Sequence, residues 1–108
     1  MRGPKLYLAM ASCPTGWGYD PSRSVEEEKL AVATGLWPLK EAVNGTVRHT
    51  FVPRALTPVK EYLVTQERYA HLFRPSENKT AIAEIQGAIN EYWSLVAKSE
   101  SADVRLPV

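Results

Sequence analysis

The chain has 108 residues, which is enough for one modest domain whose core cannot be deep. Its apolar content of 44% is ordinary for a globular protein, and its formal net charge of +1 gives no electrostatic case for binding nucleic acid or an anionic membrane. A single cysteine excludes an internal disulfide and any metal site built from this chain's cysteines alone, and a reducing cytoplasmic setting is the default expectation. No apolar run approaches bilayer length, and the run after Arg2 and Lys5 ends at Pro14, so we expect no signal peptide.

The first predicted element is a buried strand at residues 6–10, because this run is continuously apolar rather than alternating. Pro14 cannot donate a backbone hydrogen bond, so a central strand should stop before it. The strand leads to Cys13, and Gly16 and Gly18 allow the chain to fold tightly around the sulfur. A thiol placed in this way suits a metal or cluster ligand, and it equally suits a cysteine that only fills a gap.

A helix is predicted next, after a loop of turn formers at residues 16–23. Ser24 is a good N-cap, and Glu27 three residues later completes a capping box. Glu27 lies within a run of three glutamates in the first helical turn, where negative charge favours the helix dipole. We therefore interpret the run as a solvated helix start. Gly35 is the predicted C-terminal cap.

A β-hairpin should follow this helix. The Asn44-Gly45 pair is the strongest short-range hairpin signal in the chain, and residues 46–52 are rich in the branched side chains that favour a return strand. His49 shares a face of this strand with Val47 and could in principle serve as a ligand or a base. It has no acid or second histidine near it in sequence, so we interpret it as a structural side chain of the hairpin.

Two helices complete the predicted fold, which we expect to be α/β. One begins at Pro58 after a capping Thr57, continues past His71 and is broken at Pro75, after which Ser76 starts a new cap. The other spans about residues 77–98 and carries a continuous apolar stripe made of Ile82, Ile85, Ile89, Trp93 and Val96.

We interpret this stripe as core. The alternative is a seam that docks against another subunit or against the rest of a longer chain. We also expect the stripe and the strand at residues 6–10 to meet surface that this chain does not supply. The predicted organisation is a single domain over residues 1–98 followed by a tail at residues 99–108.

Several stretches, taken in order, resemble one protein family. The sequence Cys13-Pro14-Thr15-Gly16-Trp17 after a hydrophobic strand is similar to the C-terminal part of the thiamine diphosphate-binding (beta) subunit of the pyruvate:ferredoxin oxidoreductase family, also called 2-oxoacid:ferredoxin oxidoreductases. One departure is visible, because Ser12 stands where the family usually has proline. The likeness continues downstream through residues 30–39 and 58–63, Gln66, Arg68, His71-Leu72, Ile85-Gln86 and Trp93.

The resemblance implies that Cys13 is the fourth thiolate ligand of a [4Fe-4S] cluster. In the family, a Cys-x-x-Cys pair and a third cysteine upstream supply the other ligands, and an upstream Gly-Asp-Gly motif binds thiamine diphosphate and Mg²⁺. Neither motif is in this sequence, so the resemblance implies a C-terminal piece that is inactive alone. We expect backbone amides from Thr15 to Gly18 to donate hydrogen bonds to cluster sulfurs, and Trp17 to shield the cluster from water.

The implied activity of the intact assembly is oxidative decarboxylation of a 2-oxoacid, with pyruvate as the first candidate, to acyl-CoA and CO2. Electrons would pass through iron–sulfur clusters to ferredoxin, and the cofactors would carry the chemistry. The implied partners are the remainder of the beta subunit, the other oxidoreductase subunits and ferredoxin, with no nucleic acid or membrane.

Two alternatives stay open at the level of sequence. The first is a non-catalytic interaction domain in which Cys13 is inert and the long helix docks a partner. The second is a small cysteine-dependent hydrolase or transferase that uses His49 or His71 as its base. Nothing in the sequence places either histidine near the cysteine, which makes the second the weaker alternative.

Overall fold

A computed structural model describes residues 2–102, and the surroundings of side chains up to residue 99. Helices and one two-stranded antiparallel sheet make up this part of the chain, which confirms the predicted mixed α/β class. The elements are α1 (Pro14–Trp17), a 3-10 turn (Pro21–Arg23), α2 (Ser24–Ala33), β1 (Leu39–Val43), β2 (Thr46–Phe51), α3 (Val59–Leu63), a second 3-10 helix (Glu67–Leu72) and α4 (Lys79–Ala102).

The hairpin formed by β1 and β2 confirms the prediction made from its turn. Asn44 and Gly45 have φ angles of 52° and 81°, the left-handed pair of values that a two-residue hairpin turn requires. Val47 and His49 turn their side chains inward, at 8% and 6% exposure. The hairpin therefore packs one face of β2 onto the helices.

The prediction of a buried strand at residues 6–10 is wrong in this structure. These residues form neither strand nor helix, and the side chains of Leu6, Tyr7 and Leu8 are 92%, 86% and 80% exposed. A strand needs a neighbour that pairs with its backbone N–H and C=O groups. In residues 2–102 the two strands pair with each other, so this apolar run has no sheet to join.

Helix α2 begins at Ser24 itself and its N-cap is Arg23, so the prediction of a Ser24 N-cap with a capping box is wrong. Ser24 Oγ donates to the carbonyl of Pro21 at 3.0 Å, and the Glu27 carboxylate is completely buried instead of reaching back to the helix start. Glu27 Oε2 accepts hydrogen bonds from Thr65 Oγ1 at 2.8 Å and Gln66 Nε2 at 3.2 Å. The interpretation of the acidic run as a solvated start is therefore wrong for Glu27, whose burial is offset by donors from a distant segment.

The helix predicted from Pro58 onward is divided in two. Helix α3 ends at Leu63, and the 3-10 helix begins four residues later at Glu67. Between them, Gln66 Nε2 donates to the carbonyl of Tyr62 at 3.3 Å, and Thr65 Oγ1, which shares its one proton between this carbonyl and Glu27, lies 2.9 Å from it. A continuing α-helix would have given that carbonyl to the backbone N–H of Gln66, so these side chains compete with the helix and end it.

Helix α4 supplies one wall of the core. It begins after Asn78, whose Oδ1 accepts a hydrogen bond from the N–H of Ala81 at 3.0 Å, rather than at the predicted cap Ser76. It continues to Ala102, through four residues of the predicted tail, and residues 103–108 lie outside the described part.

The apolar stripe of α4 is core, as we interpreted it. Ile82, Ile89 and Val96 are buried at 9%, 6% and 2% exposure, and Ile85 and Trp93 are partly buried. The expectation that the stripe would face surface outside this chain is therefore wrong for these residues. Its partners in the core cluster come from α2, α3 and the second 3-10 helix, namely Ala31, Val59, Tyr62, Leu63 and Leu72.

A glycine and a tryptophan join the end of α2 to α4. Gly35 has a φ of +80°, as predicted for a residue that terminates a helix, and its carbonyl accepts a hydrogen bond from Trp93 Nε1 at 2.9 Å. Beside this bond, His49 Nε2 lies 2.7 Å from the Tyr92 hydroxyl, and the His49 and Trp93 ring centroids are 5.3 Å apart. The structural interpretation of His49 is confirmed.

Candidate functional site: the cysteine turn and its supports

Cys13 occupies the N-cap of α1, a single helical turn that includes the first two residues, 16 and 17, of the predicted loop. Its exposed sulfur accepts a hydrogen bond from the backbone N–H of Gly16 at 3.3 Å, and its carbonyl accepts one from the N–H of Trp17 at 2.8 Å. Pro14 begins the turn at a position where its missing N–H costs nothing. Gly18, at a φ of +77°, ends it. We call residues 13–18 the cysteine turn.

The cysteine turn fits a shared iron–sulfur cluster. A thiolate that receives a backbone N–H is the arrangement that tunes cluster ligands, and the exposed Cys13 thiol already has this donor from Gly16. A Cβ added at Gly16 would lie 3.3 Å from Cys13 Sγ, so glycine keeps the backbone this close to the sulfur. One cysteine supplies one ligand, and residues 2–102 contain no group of three or more His, Cys, Asp or Glu that could hold a metal ion.

The other predicted site residues lie in the same turn. Thr15 and Gly16 are exposed, whereas Trp17 is partly buried and packs against the core cluster. The two histidines lie on other elements, with His49 against α4 and His71 exposed on the second 3-10 helix. The described hydrogen bond of Cys13 Sγ comes from Gly16 N, so the structure adds no support for a cysteine–histidine hydrolase.

Ser12 and Glu28 form a support of the turn that sequence reasoning missed. Glu28 Oε1 accepts hydrogen bonds from Ser12 N at 3.1 Å and from Ser12 Oγ at 2.8 Å, which ties the residue before Cys13 to α2. These two donors, the backbone N–H first, lower the pKa of the Glu28 carboxyl. Proline at position 12 would remove both donors.

Arg68 forms a second unforeseen support. Its guanidinium carbon lies 4.0 Å from the centroid of the Trp17 ring and 4.6 Å from that of Tyr69. Arg68 Nε donates to Gln66 Oε1 at 2.6 Å, and Nη2 donates to the hydroxyl of Tyr62 at 3.0 Å. The cysteine turn therefore rests against a cation whose position is fixed by hydrogen bonds and ring contacts.

The same segment also contacts the turn through its backbone. The N–H of Glu67 donates to the carbonyl of Gly18 at 2.9 Å, and a Cβ added at Gly18 would come within 2.5 Å of Glu67 Cβ. Gly18 was predicted to be important for folding around the sulfur. Its tight packing against Glu67 gives an additional reason why this position is a glycine.

Replacing Ser12 should change the titration of Glu28. Ser12→Pro removes both donors, so the pKa of Glu28 should rise to the ordinary value of a glutamate, while Ser12→Ala removes only the lesser donor and should raise it partway. Because the pKa is lowered in the folded chain, the contact favours folding above the unfolded-state pKa. That contribution is lost as pH falls through the lowered folded value. NMR titration of the Glu28 side-chain carboxyl measures both variants, and an unchanged pKa in Ser12→Pro would contradict this cause.

Within residues 2–102, no helix has both the length and the apolar character that crossing a membrane requires.

No family model matches the chain, but several curated proteins are similar to it over most of its length. It is 47% identical over 72 residues to pyruvate synthase subunit PorB of Methanocaldococcus jannaschii, covering 67% of this chain and 24% of that protein. It is 31% identical over 106 residues to subunit PorB of Thermotoga maritima, covering 98% and 33%. It is also 31% identical over 98 residues to ketoisovalerate oxidoreductase subunit VorB of Pyrococcus furiosus, covering 89% and 30%.

The alignments thus span about a quarter to a third of the length of these curated relatives. The alignments cover most of this chain. The longest of the three covers 98% of the chain and therefore includes the cysteine turn. The chain therefore belongs with the beta subunits of the pyruvate:ferredoxin (2-oxoacid:ferredoxin) oxidoreductase family and corresponds to the C-terminal part of one.

Proposed function

We propose that this chain acts as part of a 2-oxoacid:ferredoxin oxidoreductase, in which Cys13 supplies one thiolate ligand to a [4Fe-4S] cluster. The observation that carries the proposal is the exposed Cys13 thiol at the N-cap of α1, with the N–H of Gly16 directed to its sulfur. The relatives named pyruvate synthase and ketoisovalerate oxidoreductase subunits support the class of enzyme.

Four residues of the cysteine turn have distinct parts in this proposal. Cys13 binds iron, and the Gly16 N–H stabilises negative charge on its sulfur, which raises the reduction potential. The backbone amide of Thr15 is a further donor of the same kind. Trp17, the partly buried residue of the turn, keeps water from the thiolate. The cluster, when bound, accepts and releases single electrons.

The chemistry of the whole enzyme lies mostly outside this chain. Pyruvate or another 2-oxoacid would be decarboxylated on thiamine diphosphate, held with Mg²⁺ by the remainder of the assembly, to give CO2 and acyl-CoA. Ferredoxin would receive the electrons, in the cytoplasm. With one cysteine and no Gly-Asp-Gly sequence, this chain should be inactive alone.

The proposed assembly also accounts for the exposed run at residues 6–10. Three consecutive side chains, Leu6, Tyr7 and Leu8, are at least 80% exposed, and they have no sheet to join in the described chain. The remainder of a beta subunit, of which this chain spans about a third, would cover them. In the same assembly the predicted unit at residues 1–98 extends to the end of α4 at Ala102.

The alternative of a non-catalytic domain that docks a partner through α4 is less well supported. Ile82, Ile89 and Val96, three of the five stripe residues that would form the docking seam, are buried within the described chain itself. A helix whose apolar face already packs in its own core has little of that face left to offer a partner.

Reconstitution with and without this chain tests the proposal. The part of the complex that carries the other three cysteines is purified with the chain and without it. Iron, acid-labile sulfide and visible absorption are then measured in both samples. Since a cluster with three thiolates is labile, omitting the chain should remove the iron of one cluster from each complex. A complex that holds the same iron and the same absorption without the chain would rule out a ligand role for Cys13.

A further inference from the structure

Arg68 carries a positive charge that forms no ion pair with a described side chain. Among the described side chains, its polar contacts are Gln66 Oε1 and the hydroxyl of Tyr62, both neutral groups. By contrast, Arg74 in the adjoining segment pairs with Glu67 at 3.3 Å. Because an arginine stays protonated at any working pH, Arg68 is a permanent cation.

A hydrogen-bonded path from Glu27 through Gln66 holds the Arg68 guanidinium in place. The Gln66 amide accepts from Arg68 through its oxygen and donates through its nitrogen to Glu27, at 3.2 Å, so the orientation of the amide is fixed at both ends. Glu27 is completely buried and also accepts from Thr65. The amide separates the carboxylate from the guanidinium, so the two charges are linked without forming an ion pair. The fixed guanidinium lies on the ring of Trp17, four residues after Cys13.

The geometry points to a role for Arg68 in setting the reduction potential at the cysteine turn. We propose that Arg68 is a positioning residue: it holds the cysteine turn in place through Trp17, and its charge, which is not in an ion pair, makes the neighbouring cluster easier to reduce. This inference rests on the proposed function, because it requires a cluster on Cys13. The physical reason is that reduction adds one negative charge to the cluster, and a fixed cation nearby stabilises the reduced form more than the oxidised form.

A charge effect and a purely structural effect predict different results. If Arg68 only holds Trp17 in position, removing the guanidinium should make the cluster labile or leave its reduction potential unchanged. The charge of the replacing side chain should then make no difference. If its charge sets the potential, a neutral replacement should shift the potential, and a lysine should preserve most of it. The reduction potential therefore distinguishes the two roles, whereas ferredoxin reduction alone would not.

The experiment is an EPR-monitored redox titration of the assembled complex carrying Arg68→Gln, Arg68→Lys or Arg74→Gln. Arg68→Gln should shift the one-electron equilibrium toward the oxidised form by about threefold or more, which is about 28 mV. Arg68→Lys should shift it less. Arg74→Gln is the matched control, since Arg74 is 73% exposed and already paired with Glu67, and its potential should stay at the wild-type value.

The outcomes distinguish failure of the proposed function from failure of this inference alone. If the wild-type complex has no cluster that depends on Cys13, both the proposed function and this inference fail. If that cluster is present but Arg68→Gln leaves its potential unchanged, or shifts it no more than Arg68→Lys does, only the inference fails.

A titratable replacement covers the case in which Arg68→Gln does not retain its cluster. In Arg68→His, the cluster should be easier to reduce at pH 6 than at pH 8 by more than in the wild type, because the imidazole loses its charge over that range. A pH dependence equal to that of the wild type would overturn the inference.

Discussion

Replacing Cys13 with alanine should leave the assembled complex with one cluster missing or labile, because one of four iron–thiolate bonds is removed. Binding of thiamine diphosphate and the first decarboxylation should survive, since they use residues outside this chain. Electron transfer to ferredoxin should fall sharply, by at least about tenfold, because a required redox centre is lost. Iron analysis, EPR spectra, CO2 release and ferredoxin reduction measure the four effects separately.

Ser12→Ala is the matched control for this variant. It changes the adjacent residue, and it keeps both the thiol and the backbone N–H that Ser12 donates to Glu28. Its cluster content and ferredoxin reduction should match the wild type. A Cys13→Ala complex with its full cluster and full ferredoxin reduction would show that Cys13 is only a structural thiol. Loss of decarboxylation with an intact cluster would assign it a different role.

Replacing Gly35 with alanine should lower the free energy of unfolding by about 3 kcal/mol or more. The φ of +80° is strained for any residue with a Cβ, and the added atom would lie 2.4 Å from Trp93 Nε1 and 2.8 Å from Leu56 Cδ2. Relief of the overlap with Trp93 requires its ring to move, which breaks its hydrogen bond to the Gly35 carbonyl. Urea unfolding with linear extrapolation gives the value.

Gly87→Ala is the control, because it makes the same chemical change within α4. Its new Cβ would meet no atom within 4 Å, and its backbone is already helical. Alanine should therefore stabilise the chain by about 0.5–1 kcal/mol. Similar changes in stability at the two positions would contradict the strain and overlap described for Gly35.

The elements predicted correctly from sequence are those that local chemistry determines. The Asn44-Gly45 turn needs only two residues with positive φ, and Gly35 ends α2 through its own backbone. The stripe of α4 repeats at helical spacing, so its core role follows from the sequence without knowledge of its partners. These signals predict the order of elements from α2 to α4.

The failure of the capping box depends on partners far away in sequence. Ser24 and Glu27 have the spacing of a capping box, but Thr65 and Gln66 offer Glu27 two donors in a buried position, and the carboxylate binds those instead. The same two side chains interrupt the predicted helix after Leu63. No local pattern indicates this competition.

The candidate site divides in the same way. The turn around Cys13 was predicted from its own residues and from the family resemblance. Its supports were not, because Glu28 and Arg68 reach it from other segments, in the case of Glu28 across 16 residues. In the sequence, Gln66 and Arg68 are only points of family resemblance, and no sequence pattern indicates that they hold Trp17.

The charge distribution of the hairpin has a consequence for how the chain avoids unwanted self-association. Both strands of a two-stranded sheet are edge strands, with backbone groups open to pairing by another molecule. The exposed pair Glu41 and Arg48, together with an irregularity in the pairing between Leu39 and Lys40, makes these edges poor templates, since an added strand would have to accommodate the charges and the kink. The run at residues 6–11 carries no charge at all, so it is the segment of the chain that is open to intermolecular β-pairing whenever its own partner is absent.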